Sequence, residues 1–228
     1  MDRDEESIGG IKNPLKPTKQ LFWTSVIMDM AGVALSLMIS NWFAIGIVLY
    51  ILASRAYSYR GIRLKKYPVV GYLTVMIFQG AVTFYLVYHG CSDNKTLNVP
   101  MPGMIASSLL IGGFYPLTQI YQHEADKRDQ IITLSYLLGY RGTFIFTALI
   151  YMLAMGTLFY YFHNISEENK FFILATAMSP IIVYFFKWAM QVWKDTSAAD
   201  YEHTMRMNII ASSCTNFAFL IILIGRLF

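Results

Sequence analysis

Seven runs of mostly apolar residues, near 21–39, 42–58, 69–89, 104–121, 143–162, 171–190 and 209–226, follow one another along the chain. Each approaches the roughly 20 residues that a helix needs to cross the hydrocarbon of a bilayer. Composition agrees: 56% of the 228 residues are apolar and 14% are charged, too few charges to coat a water-soluble domain. The runs are continuously hydrophobic and lack the alternation of a barrel strand, so they read as helices. The expected fold is an all-α, multi-pass membrane bundle of about seven transmembrane helices. Pro116 and Pro180 fall inside runs and predict kinked or locally opened helices there.

The lysines and arginines orient the bundle. Segments 1–20, 55–68, 122–142 and 187–206 hold 15 of the 18, and the alternate connections hold only Lys95, Lys170 and Arg226. By the positive-inside rule the rich set faces the cytoplasm, with the N-terminus inside and the C-terminus outside. The net charge of +4 is therefore a topology signal, and nucleic acid is excluded as a partner in favour of the lipid bilayer. The expected location is the inner membrane of a bacterium. Cys91 and Cys214 are far apart and lack metal-ligand spacing.

Within the cytoplasmic set the charges are clustered by sign. If the helix of 104–121 continues past the membrane surface, Gln119, Gln122 and Asp126 stand at i, i+3 and i+7 on one face, with His123 and Lys127 beside them. In Asp2-Arg3-Asp4-Glu5-Glu6 the acids Asp2, Glu5 and Glu6 likewise share a face if that stretch is helical. Magnesium favours carboxylates, waters and substrate phosphate oxygens, so two such clusters suit ions that also grip a diphosphate. Taken alone, the acids read more readily as a solvated rim balanced by Lys127, Arg128 and Arg3. The segment 55–68 weighs against that reading. Arg55, Arg60, Arg63, Lys65 and Lys66 are interleaved with tyrosines on the same face, and Gly61 lets the segment turn. Such a base cluster suits a polyanion.

These residues carry a resemblance. Tyr57-Ser58, then Arg63-Leu64-Lys65-Lys66 and Pro68-Val-Val-Gly71, is similar to the Tyr-Ser, Arg-Leu-Lys-Arg, Pro-Leu-Leu-Gly loop of the UbiA superfamily of membrane prenyltransferases. The opening acids followed by Lys12-Asn13-Pro14-Leu15-Lys16-Pro17 resemble the end of that family's first acidic motif and the Asn-Arg-Pro-x-Arg-Pro after it. Residues 119–139 resemble the second motif, with Glu124 and Asp126 on its Glu-Gly-Asp, Thr133-Leu134 on its Thr-Leu and Gly139 on its closing glycine. The resemblance implies a UbiA-like bundle in which two Mg2+ ions hold an isoprenyl diphosphate. Loss of diphosphate leaves an allylic cation, which an aromatic or other lipophilic acceptor attacks.

Carried over residue by residue, the resemblance implies that Asp2, Glu6 and Asp126 are the catalytic acids and, with Glu124 and Gln122, the Mg2+ ligands. It implies diphosphate-binding roles for Tyr57, Arg63 and Lys65, for Lys16 on the arginine of the Arg-Pro step, and for Lys127 and Arg128. The domain reading is one transmembrane unit over 1–228 that lacks about two of the family's roughly nine helices. In it, 1–20 is the remnant of the first motif loop, 55–68 the basic loop and 122–142 the second motif loop. Gln119 and Gln122 stand where the second motif has aspartates, and amides bring no charge to a metal. A non-catalytic membrane relative, transporter-like or a scaffold, or an inactive fragment, is the alternative. Asp29, midway along the first run, is expected to face the interior and find a donor or stay protonated. His123 is expected to hydrogen-bond near the site rather than to ligate.

Overall fold

The computed structural model describes residue 11, residues 18–59 and residues 61–225, and the ordered elements among them are helical. Helix α1 (Lys19–Leu37) begins where the Thr18 hydroxyl accepts from the Leu21 N–H at 3.1 Å, and α2 (Asn41–Ser58) where Ser40 accepts from Phe43 at 3.0 Å. A 3₁₀ turn over Leu64–Lys66 leads into one rod, Pro68–Cys91, made of α3 (Pro68–Val75), a π-helical stretch (Met76–Val82) and α4 (Thr83–Cys91). Helix α5 (Met101–Gln119) returns, a 3₁₀ turn (Ile120–Gln122) and the short α6 (His123–Arg128) follow, and α7 (Leu134–Asn164) runs back. Helices α8 (Glu168–Ala177) and α9 (Ser179–Lys194) form a pair bent by 42°, and α10 (Tyr201–Ile224) closes the bundle.

A helix stands at each of the seven expected positions, but they are not seven equal spans. Four are long and apolar enough to cross a membrane by themselves, namely Lys19–Leu37, Pro68–Cys91, Leu134–Asn164 and Tyr201–Ile224, and the bent α8–α9 pair makes a fifth. Helices α2 and α5 fall short because they carry polar, glycine and proline residues, such as Ser54 and Arg55, or Gly112, Gly113 and Pro116. For α5 the reason is its place in the bundle: Gly103, Ala106, Ser108, Gly112, Gly113 and Leu117 are buried against neighbours, so much of this helix meets protein instead of lipid. The bend at Pro180 is present, since Pro180 opens α9, whereas Pro116 is absorbed within α5.

Close approach holds the interior together, as expected where lipid removes the hydrophobic drive between helices. Helix α5 packs most extensively on α7 and on the π-helical stretch. A Cβ on Gly113 would lie 2.9 Å from the Tyr151 ring, and the Thr147 hydroxyl donates to the Gly113 carbonyl at 2.9 Å. On the other side, Gly80 lies against the Ser108 backbone, and the Ser108 hydroxyl accepts the Ala81 N–H at 3.0 Å. Trp188, Phe144, Leu174 and Met207 fill the space between α7 and the last helices. Outward, α1 shows Trp23, Ile27, Met28 and Met30, a surface suited to hydrocarbon.

The connections sort to two ends. Arg63 bonds Asp129 at 3.1 Å, the Tyr121 and Tyr201 rings meet at 5.3 Å, and Arg141 donates to the Trp193 carbonyl at 2.8 Å. These contacts bring the described basic connections to one end. At the other, His89 bonds the Ser40 hydroxyl at 2.7 Å.

Candidate diphosphate and acceptor site

Two expected boundaries change at the basic end. Helix α2 runs through Ser58, so Arg55, Tyr57 and Ser58 of the expected loop 55–68 are helical. The expected loop 122–142 is helical at both ends, because α7 starts at Leu134 instead of near 143. The hydroxyl of Thr133 caps α7 by accepting from the Tyr136 N–H at 3.2 Å. Gly139, at φ 68° and ψ 175°, then breaks the helix in a conformation open chiefly to glycine. The paired Thr133-Leu134 and Gly139 are thus a start and a kink.

The single continued helix expected through Gln119, Gln122 and Asp126 does not form. A 3₁₀ turn intervenes, since burial of Ile120 and His123 pulls the chain back onto the bundle. Gln119 is 7% exposed; its amide N–H donates to the Tyr115 hydroxyl at 3.0 Å, while its Oε1 has no hydrogen-bond partner among the described residues. The Tyr115 hydroxyl is also hydrogen-bonded to that of Tyr57, and the half-buried Asp126 lies near enough for its charge to act on Tyr115. Gln119, Tyr115, Tyr57 and Asp126 are therefore one polar group spanning α2, α5 and α6.

Gln122 turns elsewhere, donating to Tyr121 at 2.9 Å. Glu124 is exposed, and two residues apart on a helix it points away from Asp126, so the pair does not converge. Lys127 and Arg128 are exposed, and Arg128 donates to the Glu124 carbonyl at 3.4 Å. Among the described residues no group of three or more His, Cys, Asp or Glu side chains is placed to share a metal. Asp2, Glu6, Lys16 and Arg60 lie outside the described residues.

The basic segment meets the acidic one through a residue that the sequence reading did not single out. Arg63 has a left-handed backbone (φ 48°) and reaches Asp129 with Nη2 at 3.1 Å. The Leu64–Lys66 turn that follows carries half-buried Lys65 and presses on Gly71, where a Cβ would sit 3.1 Å from both the Leu64 carbonyl oxygen and the Lys65 Cα. The Pro-Val-Val-Gly step thus lets this turn lie flat on α3. Arg55, by contrast, serves another purpose: it pairs with Asp29 of α1 and bonds Ser25 at 3.1 Å, which supplies the donor expected for Asp29.

His123 is buried and bonds the Ser135 hydroxyl at 2.9 Å; Ser135 in turn contacts the Thr143 hydroxyl at 3.1 Å, and the imidazole stacks on Tyr140 at 4.7 Å. Burial pushes its pKa down to about 4, so it is neutral at pH 7. It fastens the acidic segment to α7, the hydrogen-bonding role expected of it. Ser135 and Thr143 were invisible in sequence because hydroxyls are common in membrane helices.

Beside the polar group is a cavity of about 120 Å³ between α2, the π-helical stretch and α5, lined by Tyr50, Tyr57, Thr74, Phe78, Gln79 and Tyr115 among others. As for magnesium, Asp126 offers a carboxylate and Gln119 a buried amide oxygen left unbonded among the described residues, a donor set that fits an ion keeping waters and phosphate oxygens as its other ligands.

The model of the UbiA prenyltransferase family matches residues 13–210. Among curated proteins and among solved structures, none matches the chain.

Proposed function

The chain belongs to the UbiA prenyltransferase family, a family of membrane prenyltransferases, and from that premise we propose that it transfers an isoprenyl group from an isoprenyl diphosphate to an aromatic or lipophilic acceptor, with Mg2+. The observation that carries this reading is the meeting of the basic and acidic segments at one end of the bundle through Arg63–Asp129, with Tyr57 of the basic segment also bonded to Tyr115 of α5. In the reaction the C1–O bond of the allylic diphosphate breaks and its electron pair leaves with diphosphate. A carbon of the acceptor supplies the pair for the new bond, and the proton it displaces goes to water or diphosphate.

Arg63 and Lys65 are assigned to the diphosphate, where positive charge is needed as the leaving group gains negative charge. Asp126 and Gln119 would hold magnesium, with Asp2 and Glu6 of the other acidic segment, and the chemistry such an ion would supply is neutralisation of charge on the departing diphosphate. Glu124 and Gln122 are assigned a lesser part, because one is exposed and the other is turned to Tyr121. The apolar bundle takes the isoprenoid and keeps water from the cation. The site end is assigned to the cytoplasmic face, on the positive-inside rule.

The test is transfer by the purified chain in lipid nanodiscs, with radiolabelled isoprenyl diphosphates of several lengths and a panel of acceptors. A prenylated product that disappears on chelation supports the assignment. A folded, inserted protein that yields no product across the panel speaks for the second reading, a non-catalytic relative. Gln119 and Gln122 at acid positions favour that reading, since their amides weaken any metal site.

A further inference from the structure

Resting on the prenyltransferase reading, we infer that Tyr115 is a positioning residue for the metal. Its hydroxyl bridges Tyr57 of α2 and Gln119 of α5, and so turns the Gln119 amide to leave the carbonyl oxygen for a divalent cation. An amide has two unlike ends. The nitrogen end carries two N–H donors and repels a cation, whereas the oxygen end is a neutral ligand. Which end faces the site is decided by the partner of the other.

Local structure supplies that partner. Tyr115 and Gln119 stand at i and i+4 on the last turn of α5, so their side chains share a face. The Gln119 Nε2 donates to the Tyr115 oxygen at 3.0 Å, and the Tyr115 proton is then left for the Tyr57 oxygen. With the amide reversed, Tyr115 would have to give that proton to Gln119 instead. The row from α2 to α5 thus holds the nitrogen end. Gln119 Oε1 is buried with no hydrogen-bond partner among the described residues, a costly arrangement that a bound cation would relieve. Asp126, whose charge acts on Tyr115, has a buried carboxylate oxygen in the same polar group.

The residue type at 119 fits this row. A glutamate there could accept but not donate, and would draw the Tyr115 proton away from Tyr57. The amide at an acid position and the tyrosine one turn before it therefore belong together. Gln122 differs. Its amide N–H also goes to a tyrosine, at 2.9 Å, but that Tyr121 ring packs against Tyr201 of α10 and not against α2.

The experiment reads metal binding apart from transfer, by EPR of the purified chain in nanodiscs with Mn2+ as probe and inorganic diphosphate present. The signal that Asp126→Ala loses defines this site. Tyr115→Phe keeps the ring and is expected to raise the Mn2+ Kd at least about tenfold, the scale for a group that orients a metal ligand. Gln119→Ala is expected to do the same. The double variant should bind Mn2+ no worse than Gln119→Ala alone, because Tyr115 acts through that amide. A full further loss in the double variant would make Tyr115 a general support of the bundle and overturn the inference. Wild-type affinity in Tyr115→Phe would overturn it too, as would a wild-type chain with no signal dependent on Asp126. In transfer, raised Mg2+ is expected to restore much of the kcat of Tyr115→Phe, which it would not do for a packing defect. If the binding results hold and no prenylated product forms at any Mg2+ concentration, the positioning role stands and the prenyltransferase reading falls.

Discussion

Asp126 has a buried carboxylate oxygen, and Gln119, joined to it only through Tyr115, keeps a buried oxygen without a described partner. Asp126→Ala is therefore expected to lower kcat/KM for transfer by at least about 100-fold, or about 2.7 kcal/mol, with the protein still inserted, as membrane fractionation checks. Arg63 acts on the donor. Arg63→Ala should raise the KM for isoprenyl diphosphate about 10- to 100-fold, the scale of a charge-assisted hydrogen bond. Asp129→Asn is expected to do part of the same, and the double variant to cost less than the two single effects together, because one contact carries both. Additive losses in that cycle would detach Asp129 from the site. At this scale the sequence was legible where charge and order of motifs mattered, as for Asp126 and Arg63. It was silent on Tyr115 and Asp129, whose parts arise only from partners 58 and 66 residues away along the chain.

The bend at Pro180 could be placed from sequence, because a proline marks it, whereas Thr133 as the cap of α7 and Gly139 as its kink could not be told from their place in a motif match. The π-helical stretch Met76–Val82 could not be placed either, because Met-Ile-Phe-Gln-Gly-Ala-Val has the hydropathy of any span, and its irregularity depends on Ser108 of another helix. Nor could the break after Gln119, which follows from burial of Ile120 and His123. Gly80→Ala should cost about 1–3 kcal/mol of stability by forcing α5 away, seen as a lower Tm in detergent, and little change would mean that this contact is loose. Gly71→Ala moves the turn that carries Lys65 and should weaken donor binding more than it lowers Tm. The link through His123 is pH-dependent. Folded, the imidazole stays neutral down to about pH 4, whereas unfolded it takes a proton below about pH 6.5. Stability is full above the higher value and falls as pH drops through this window. The Tm of the wild-type chain should decline from pH 6.5 to 4 more steeply than that of His123→Gln.

For the whole molecule, the alternation of basic and poorly charged connections anticipated which ends meet, and the helices obey it: the basic connections share one end and Ser40 meets His89 at the other. The count of spans was less legible, because a helix enclosed by protein, such as α5, need not be as apolar as one facing lipid. Orientation has a direct check in the native cysteines. Cys91 is exposed at the end assigned to the outside and Cys214 lies half-buried within α10. An impermeant maleimide added to intact cells should label Cys91, and labelling only in inverted vesicles would reverse the topology. The central claim, isoprenyl transfer at the Asp126 end of the bundle, is tested most directly by one assay on the purified chain in nanodiscs. Supplied with radiolabelled isoprenyl diphosphate, 4-hydroxybenzoate and Mg2+, the wild-type protein is predicted to form a prenylated acid that Asp126→Ala does not. Equal product from the two proteins, or none from an intact wild-type chain across donor lengths and acceptors, would contradict it.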